Sequence, residues 1–234
     1  MRAVTELKAV ARAGQPFVAS IAVMLIVALE QINPSLAAGI PAETDIRNGT
    51  LVTVDIAENE FEIPRYYFLP WDVPTDQKRI EISIHALWPE MAPMREDNKD
   101  RYVSVRGHGP LLNILATDQR QITTLEFRLN AVTKLAAPYD NAPNEFGLQV
   151  IVPKDVNPHD IELRQEAYVD KRPDGFAGFI TCNRDGSVPE PGCSQEFNYK
   201  HLLFQVDYGK YFLPQWRQIE QAVKLLFSGF TIHA

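Results

Sequence analysis

The chain has 234 residues, 45% of them hydrophobic, and a formal net charge of −7. That composition is globular, and its acidic balance argues against binding nucleic acid or anionic lipid, both of which need clustered Lys and Arg. No segment is low in complexity and no repeat of fixed period is present.

At the N-terminus, Arg2, Lys8 and Arg12 precede an apolar run from Phe17 to Leu29, which Glu30 ends. Those 13 residues suffice for the hydrophobic stretch of a secretory signal. They fall short of the ~20 that a helix needs to cross a bilayer. A buried helix opening a cytosolic domain would show a polar face, and here Ser20 is the one polar interruption. Ser35-Leu36-Ala37 followed by Ala38 has the small-x-small pattern that a signal peptidase accepts. The pattern predicts a signal peptide or signal anchor over residues 1–38, with cleavage favoured, and an exported domain over 39–234. That domain carries 20 basic and 28 acidic side chains, a net charge of −8, which suits solubility or a basic protein partner.

Beyond a polar connector holding Gly39, Pro41 and Asn48-Gly49, Leu51 to Ile56 reads as a strand. Phe61 and Ile63 then alternate with Glu60 and Glu62 until Pro64. Ile80, Ile82, Ile84 and Ala86 alternate with Glu81, Ser83 and His85, the pattern of a half-buried strand with His85 on its wet face. Pro89 to Arg101 is charged and loop-like. Leu125, Phe127 and Leu129 alternate with Glu126 and Arg128 as a further strand, and Pro138 to Asn144 breaks the chain. Leu148 to Val152, Ile161 to Val169, Phe176 to Cys182 and Phe197 to Val206 complete the strand series.

Cys182 and Cys193 both lie in the exported part, and in an oxidising compartment they are expected to pair. A redox-active or metal-binding pair is disfavoured by the ten intervening residues, by Pro189 and Pro191, and by the lack of a neighbouring histidine. At the end of the chain, Trp216, Ile219, Val223, Leu226 and Phe230 recur at helical spacing opposite Arg217, Glu220, Gln221 and Lys224. Pro214 suits the first turn and Gly229 the stop. Strands followed by one amphipathic helix predict an α+β fold, an antiparallel sheet-dominated domain with the C-terminal helix packed on the sheet.

The histidines at 85, 108, 159, 201 and 233 show no metal-ligand spacing. No serine lies in a Gly-x-Ser-x-Gly elbow, glycines form no phosphate loop, and local carboxylates such as Glu58 and Glu60 point apart on a strand or turn. His108, between Gly107 and Gly109, reads as a turn histidine. No catalytic or metal residue and no cofactor is expected, and the chain reads as non-enzymatic. Aromatics offer the other route: Tyr66, Tyr67, Phe68 and Trp71 crowd the stretch between Pro64 and Pro74, and Trp88 with Met91 and Met94 opens the next loop. Tyr66, Tyr67, Trp71, Trp88 and Met91 are thus candidates for contact with a protein partner, with core packing beneath a loop as the alternative for each.

Two stretches carry a resemblance. FEIPRYYFL (61–69) followed by LWPEMAP (87–93) is one. GFITC (178–182), a loop closed by Cys193, and HLLFQVDYGKYFLPQWRQIEQAVKLLFSGF (201–230) form the other. Together they resemble exported proteobacterial immunity-like proteins associated with type VI secretion effectors, over about half of the exported part. The resemblance implies a periplasmic, non-enzymatic protector that binds a toxin effector delivered by a neighbouring cell and blocks its active site. Many such proteins are lipid-anchored through a cysteine after the signal. No cysteine lies near Ala38, so a membrane tether would require the apolar run itself to be kept. The alternative is a structural or accessory envelope protein held by that segment.

Overall fold

The computed structural model describes residues 50–93, 95, 97–102, 109–134, 139–153, 165–173 and 175–232. The expected signal segment, residues 1–38, and Met94, His108, His159 and His233 lie outside them.

Strands β1 (Leu51–Ile56) and β2 (Asn59–Pro64) form a hairpin of their own. The other eight strands are β3 (Glu81–Leu87), β4 (Leu111–Asp118), β5 (Tyr139–Glu145), β6 (Leu148–Pro153), β7 (Gln165–Arg172), β8 (Gly175–Asn183), β9 (Gly192–Tyr199) and β10 (Leu202–Gly209). They make one sheet in the order β3-β4-β10-β9-β8-β7-β6-β5, antiparallel at every pairing. Helix α1 (Lys99–Tyr102) is a single turn, α2 (Leu125–Lys134) lies between β4 and β5, and α3 (Trp216–Phe230) ends the fold. The expected architecture is therefore present: an antiparallel sheet-dominated body with the C-terminal helix packed on it.

Side-chain alternation assigns the two faces of the sheet. Phe204, Val206, Tyr208, Phe197, Ile180 and Ile84 point into the main core, where they meet Phe61 and Ile63 of the hairpin and Ile219, Val223, Leu226 and Phe227 of α3. Phe179 and Leu203 point the other way and are covered by Leu125 and Leu129 of α2. Both guanidinium arms of Arg128 on α2 bond Glu196 of β9, with Nη2 at 2.9 Å, so the second face is closed by a charge pair as well as by apolar contact.

Helix α3 is seated by rings. Phe227 meets Phe204 at 4.7 Å and Phe61 at 5.7 Å, both edge-on, and Phe230 meets Tyr67 at 5.1 Å. Edge-to-face pairs at these separations add to the stabilisation from burial alone. Past the helix, the Ile232 N–H donates to the Glu60 carbonyl at 2.9 Å and fastens the chain end along β2. Glu220, expected on the polar side of the helix, is buried. Arg172 of β7 reaches both its oxygens at 3.1 and 3.2 Å, and Lys224 one turn on bonds it too. A buried carboxylate persists because it is paired.

Several sequence expectations need correction. Leu125 to Leu129 is helix, not strand: the Thr124 hydroxyl caps it by accepting from the Phe127 N–H at 3.3 Å, and Leu125 and Leu129 face the sheet while Phe127 is 62% exposed. An i, i+2, i+4 apolar triplet fits either period over so short a stretch. Phe197 to Val206 is two strands, turned at Lys200-His201, where φ is 49° and 65°. Of the expected break at Pro138 to Asn144, Pro138 lies outside the described residues and the rest is strand: β5 is the last strand of the sheet, bulged between Ala142 and Glu145, and an edge tolerates Pro143. Strand β4 carries no expectation from the sequence, and Pro214 sits in a 3-10 helix (Lys210–Gln215) just before α3. His85 is buried, not wet.

Burial lowers the pKa of His85 below 6.5, against the opposing effects of the Asp72 charge and a bond to the Tyr67 backbone, and its Nδ1 finds no partner among the described residues. Cys182 and Cys193 are bonded as expected, across neighbouring positions of β8 and β9.

Phe227→Ala is expected to cost about 3–5 kcal/mol, seen as a lower urea midpoint with an unchanged slope. Replacing both cysteines by serine should cost about 3 kcal/mol for a loop of this length, by the same measurement. His85 protonates more readily in the unfolded chain than in the fold. Its contribution to stability is therefore full above pH 6.5 and declines as pH falls below. His85→Gln should remove that part of the decline, read from urea midpoints between about pH 5 and 8.

Candidate functional site

Of the five aromatic and methionine candidates, three are buried and two are exposed. Tyr67 is fully buried and its hydroxyl donates to the Met91 carbonyl at 2.9 Å. Trp88 is buried and its indole N–H donates to Gln215 Oε1 at 2.7 Å, tying the Trp88–Ala92 loop to the entry of α3. Met91 is buried beside them, at φ 50°. Tyr66 and Trp71 are the two that reach solvent, at 55% and 77% exposure. Trp71 borders a recess of about 360 Å³ with Val73, Pro74, Arg79, Ser83 and Leu115, beside edge strand β3. Ile80, just before that strand, is exposed as well.

A larger concavity of about 770 Å³ opens elsewhere. Its walls are the β5–β6 turn (Glu145, Phe146), β7 (Glu166, Tyr168), the disulfide-closed loop (Asp185, Pro189, Glu190, Pro191) and the segment Gly209–Pro214. The segment is pinned to the loop by the Lys210 N–H, which donates to the Pro191 carbonyl at 2.9 Å. The loop is braced internally: the Gly192 N–H donates to Asn183 Oδ1 at 3.1 Å and the Ser187 hydroxyl to the Arg184 carbonyl at 2.6 Å. On the far wall, the Trp216 indole donates to the Phe146 carbonyl at 3.0 Å.

Charge inside the cleft is uneven. Lys210 bonds Glu166 and lies 3.1 Å from Asp185, and the Tyr168 hydroxyl donates to Glu166 at 2.7 Å. Burial, that hydrogen bond and the neighbouring carboxylates all push the Tyr168 pKa well up, so its proton stays in place. Burial also raises Tyr211, whose hydroxyl bonds the Gly109 carbonyl. Gly209 lets that ring settle: a Cβ there would come within 2.4 Å of Tyr211 Cε1. Four carboxylates thus face one ammonium, and Glu145 and Glu190 at the mouth have no cation paired to them among the described residues.

Among the described residues no three His, Cys, Asp or Glu side chains converge to hold a metal ion. His201 lies exposed in the β9–β10 turn. The cleft was missing from the sequence reading because its walls come from four segments spread over residues 145–214. The one local signal was Tyr211 with Phe212 and Pro214, apolar residues between a strand and a helix.

No family model matches the chain, and no curated protein matches it. Two solved structures share its fold. Smlt3025, an immunity protein of the Stenotrophomonas maltophilia type IV secretion system, aligns over 79% of this chain and 94% of its own, with a TM-score of 0.58 and 18% identity. The Neisseria meningitidis iron-regulated outer membrane lipoprotein FrpD aligns over 82% of this chain and 94% of its own, with a TM-score of 0.51 and 13% identity. At these identities the likeness is one of fold.

Proposed function

We propose that the chain is a non-enzymatic immunity protein of the cell envelope, which binds a toxin effector delivered by a secretion system and blocks it by covering its active site. The observation that carries this reading is the fold shared with a secretion-system immunity protein along 94% of that chain. The sequence motifs point to type VI delivery, whereas that neighbour belongs to a type IV system. What the two have in common is an immunity protein attached to a secretion machine. The N-terminal signal pattern supports action in the periplasm. Tyr66 and Trp71, the two candidates that reach solvent, are the proposed anchors. Large aromatic side chains dominate interface energetics, and an acidic surface speeds association with a basic partner.

A second reading is favoured by the likeness to an outer membrane lipoprotein: a structural or accessory envelope protein, tethered by its uncleaved N-terminal segment. No described helix is long and apolar enough to cross a membrane, so a tether would rest on the segment before residue 50. Mass spectrometry of the mature N-terminus separates the two. A start near Gly39 goes with the free periplasmic form, and a start at Met1 or Arg2 with the tethered one.

Expressed in the periplasm of cells exposed to a candidate toxin effector, such as one found encoded beside its gene, the protein is expected to restore growth. The purified pair should elute as one complex at micromolar concentration, and separate elution overturns the immunity reading. Trp71→Ala should weaken that complex about tenfold or more by calorimetry while leaving the melting temperature unchanged, since the ring is mostly exposed. Unchanged affinity would remove Trp71 as an anchor.

A further inference from the structure

We infer that the cleft between the disulfide-closed loop and the Gly209–Pro214 segment is a receptor for an arginine-bearing segment of the protein partner. The inference rests on the reading of the chain as a protein binder and adds the chemistry that is bound.

Hydrogen-bonding capacity in the cleft is one-sided. Carboxylates only accept, Pro189, Pro191 and Pro214 have no N–H to donate, and the Tyr168 and Tyr211 hydroxyls already donate to Glu166 and Gly109. Lys210 is the cation in the lining, and it is already shared between Glu166 and Asp185. A complementary ligand must therefore be rich in donors and positive. Guanidinium has five N–H donors in a planar fork and is less strongly hydrated than ammonium, so it fits an acceptor-lined, partly apolar recess better than lysine does. Two ring faces stand ready beside those carboxylates: Phe146 is 44% exposed and Tyr211 60%. Arginine stacks on such faces.

The cleft is also built at some conformational expense. Phe146 sits at φ 52°, a left-handed conformation uncommon for a bulky side chain, at a turn position where asparagine or glycine would be relaxed. The turn keeps an exposed aromatic there, and the Trp216 indole fixes its carbonyl. Strain of this kind, held by surrounding contacts, is characteristic of binding sites. The opposite wall is equally fixed by the disulfide and by the bond from the Lys210 N–H to Pro191. A cleft of about 770 Å³ lies within the usual range for ligand sites, and a preformed one loses little freedom on binding.

The probe is a capped hexapeptide with three arginines, titrated into the purified protein by calorimetry. It should bind at one saturable site, with affinity falling as salt rises. Its lysine counterpart should bind several-fold more weakly, and a glutamate counterpart should not bind. Glu145→Gln with Glu190→Gln should weaken the arginine peptide at least tenfold, whereas Glu62→Gln with Glu126→Gln, the same charge change on exposed sites outside the cleft, should leave it unaltered. Tyr211→Ala, which keeps the charge, should weaken it at least threefold. Equal loss from both carboxylate pairs would mean diffuse attraction and overturn the proposal, as would no binding to a protein whose melting curve is normal. With the effector itself as ligand, unchanged affinity of the Glu145→Gln, Glu190→Gln protein sinks the cleft and leaves immunity standing. Peptide binding with the stated sensitivities, alongside an effector that does not bind, sinks immunity and leaves the cleft.

Discussion

Phe227 touches the hairpin ring of Phe61 on one side and the sheet ring of Phe204 on the other, so one side chain of α3 joins three layers. Neither β1–β2 nor α3 can be stable alone. A two-stranded hairpin is marginal in water, and a helix of 15 residues gains most of its stability from packing. Each needs the other in order to cover the apolar face of the large sheet. Asn59 adds a polar counterpart, donating from its amide to the carbonyls of Ala57 at 3.1 Å and Lys200 at 3.0 Å, so the turn of β1–β2 is sewn to the turn of β9–β10. The hairpin thereby joins the sheet sideways without lengthening it.

Seating α3 in this way also decides where the loops go. Its entry is held by Gln215 against Trp88 and by Trp216 against the β5–β6 turn, while Tyr211 reaches Gly109 just before β4. The Trp88–Ala92 loop, the chain before β4 and the disulfide-closed loop meet at one end of the sheet, and Trp216 ties to them the β5–β6 turn, which by the strand register starts from the other end. Loops on a rigid scaffold are the usual carriers of recognition. The disulfide falls at this end as well. It locks two neighbouring central strands where they diverge, so its effect on the loop beyond them exceeds its effect on the core.

What could be read from the sequence follows from how local each signal is. The apolar stripe of α3 and the alternation in β3 are complete within one segment, and both elements are where the pattern puts them. The cysteine pair was legible because compartment and spacing together leave few alternatives. Turns were the weak point. Ala57-Glu58 and Lys200-His201 both take positive φ without glycine, asparagine or aspartate, so no turn chemistry marks them and β9 runs into β10 by eye. Burial of individual aromatics was illegible for a different reason. Tyr66 and Tyr67 are adjacent and chemically identical, yet a 3-10 turn sends one to solvent and the other into the core. Glu220 was misplaced because its partner Arg172 lies 48 residues away.

The same distinction between pattern and placement explains how a fold can be shared at 18% and 13% identity. Core positions require apolar volume at the right period, a demand that many residue combinations meet. Exposed side chains such as Trp71, Phe146 and Glu190 answer to no such demand from the fold, so they are free to follow whatever they touch. Specificity is a difference between partners, and it is made by these contacts and by charges that repel the wrong one. A net charge of −8 over residues 39–234 already disfavours acidic partners at long range. Within the cleft a further carboxylate would meet like charge from Glu145, Glu166 and Glu190 as it lost its water, which is costly.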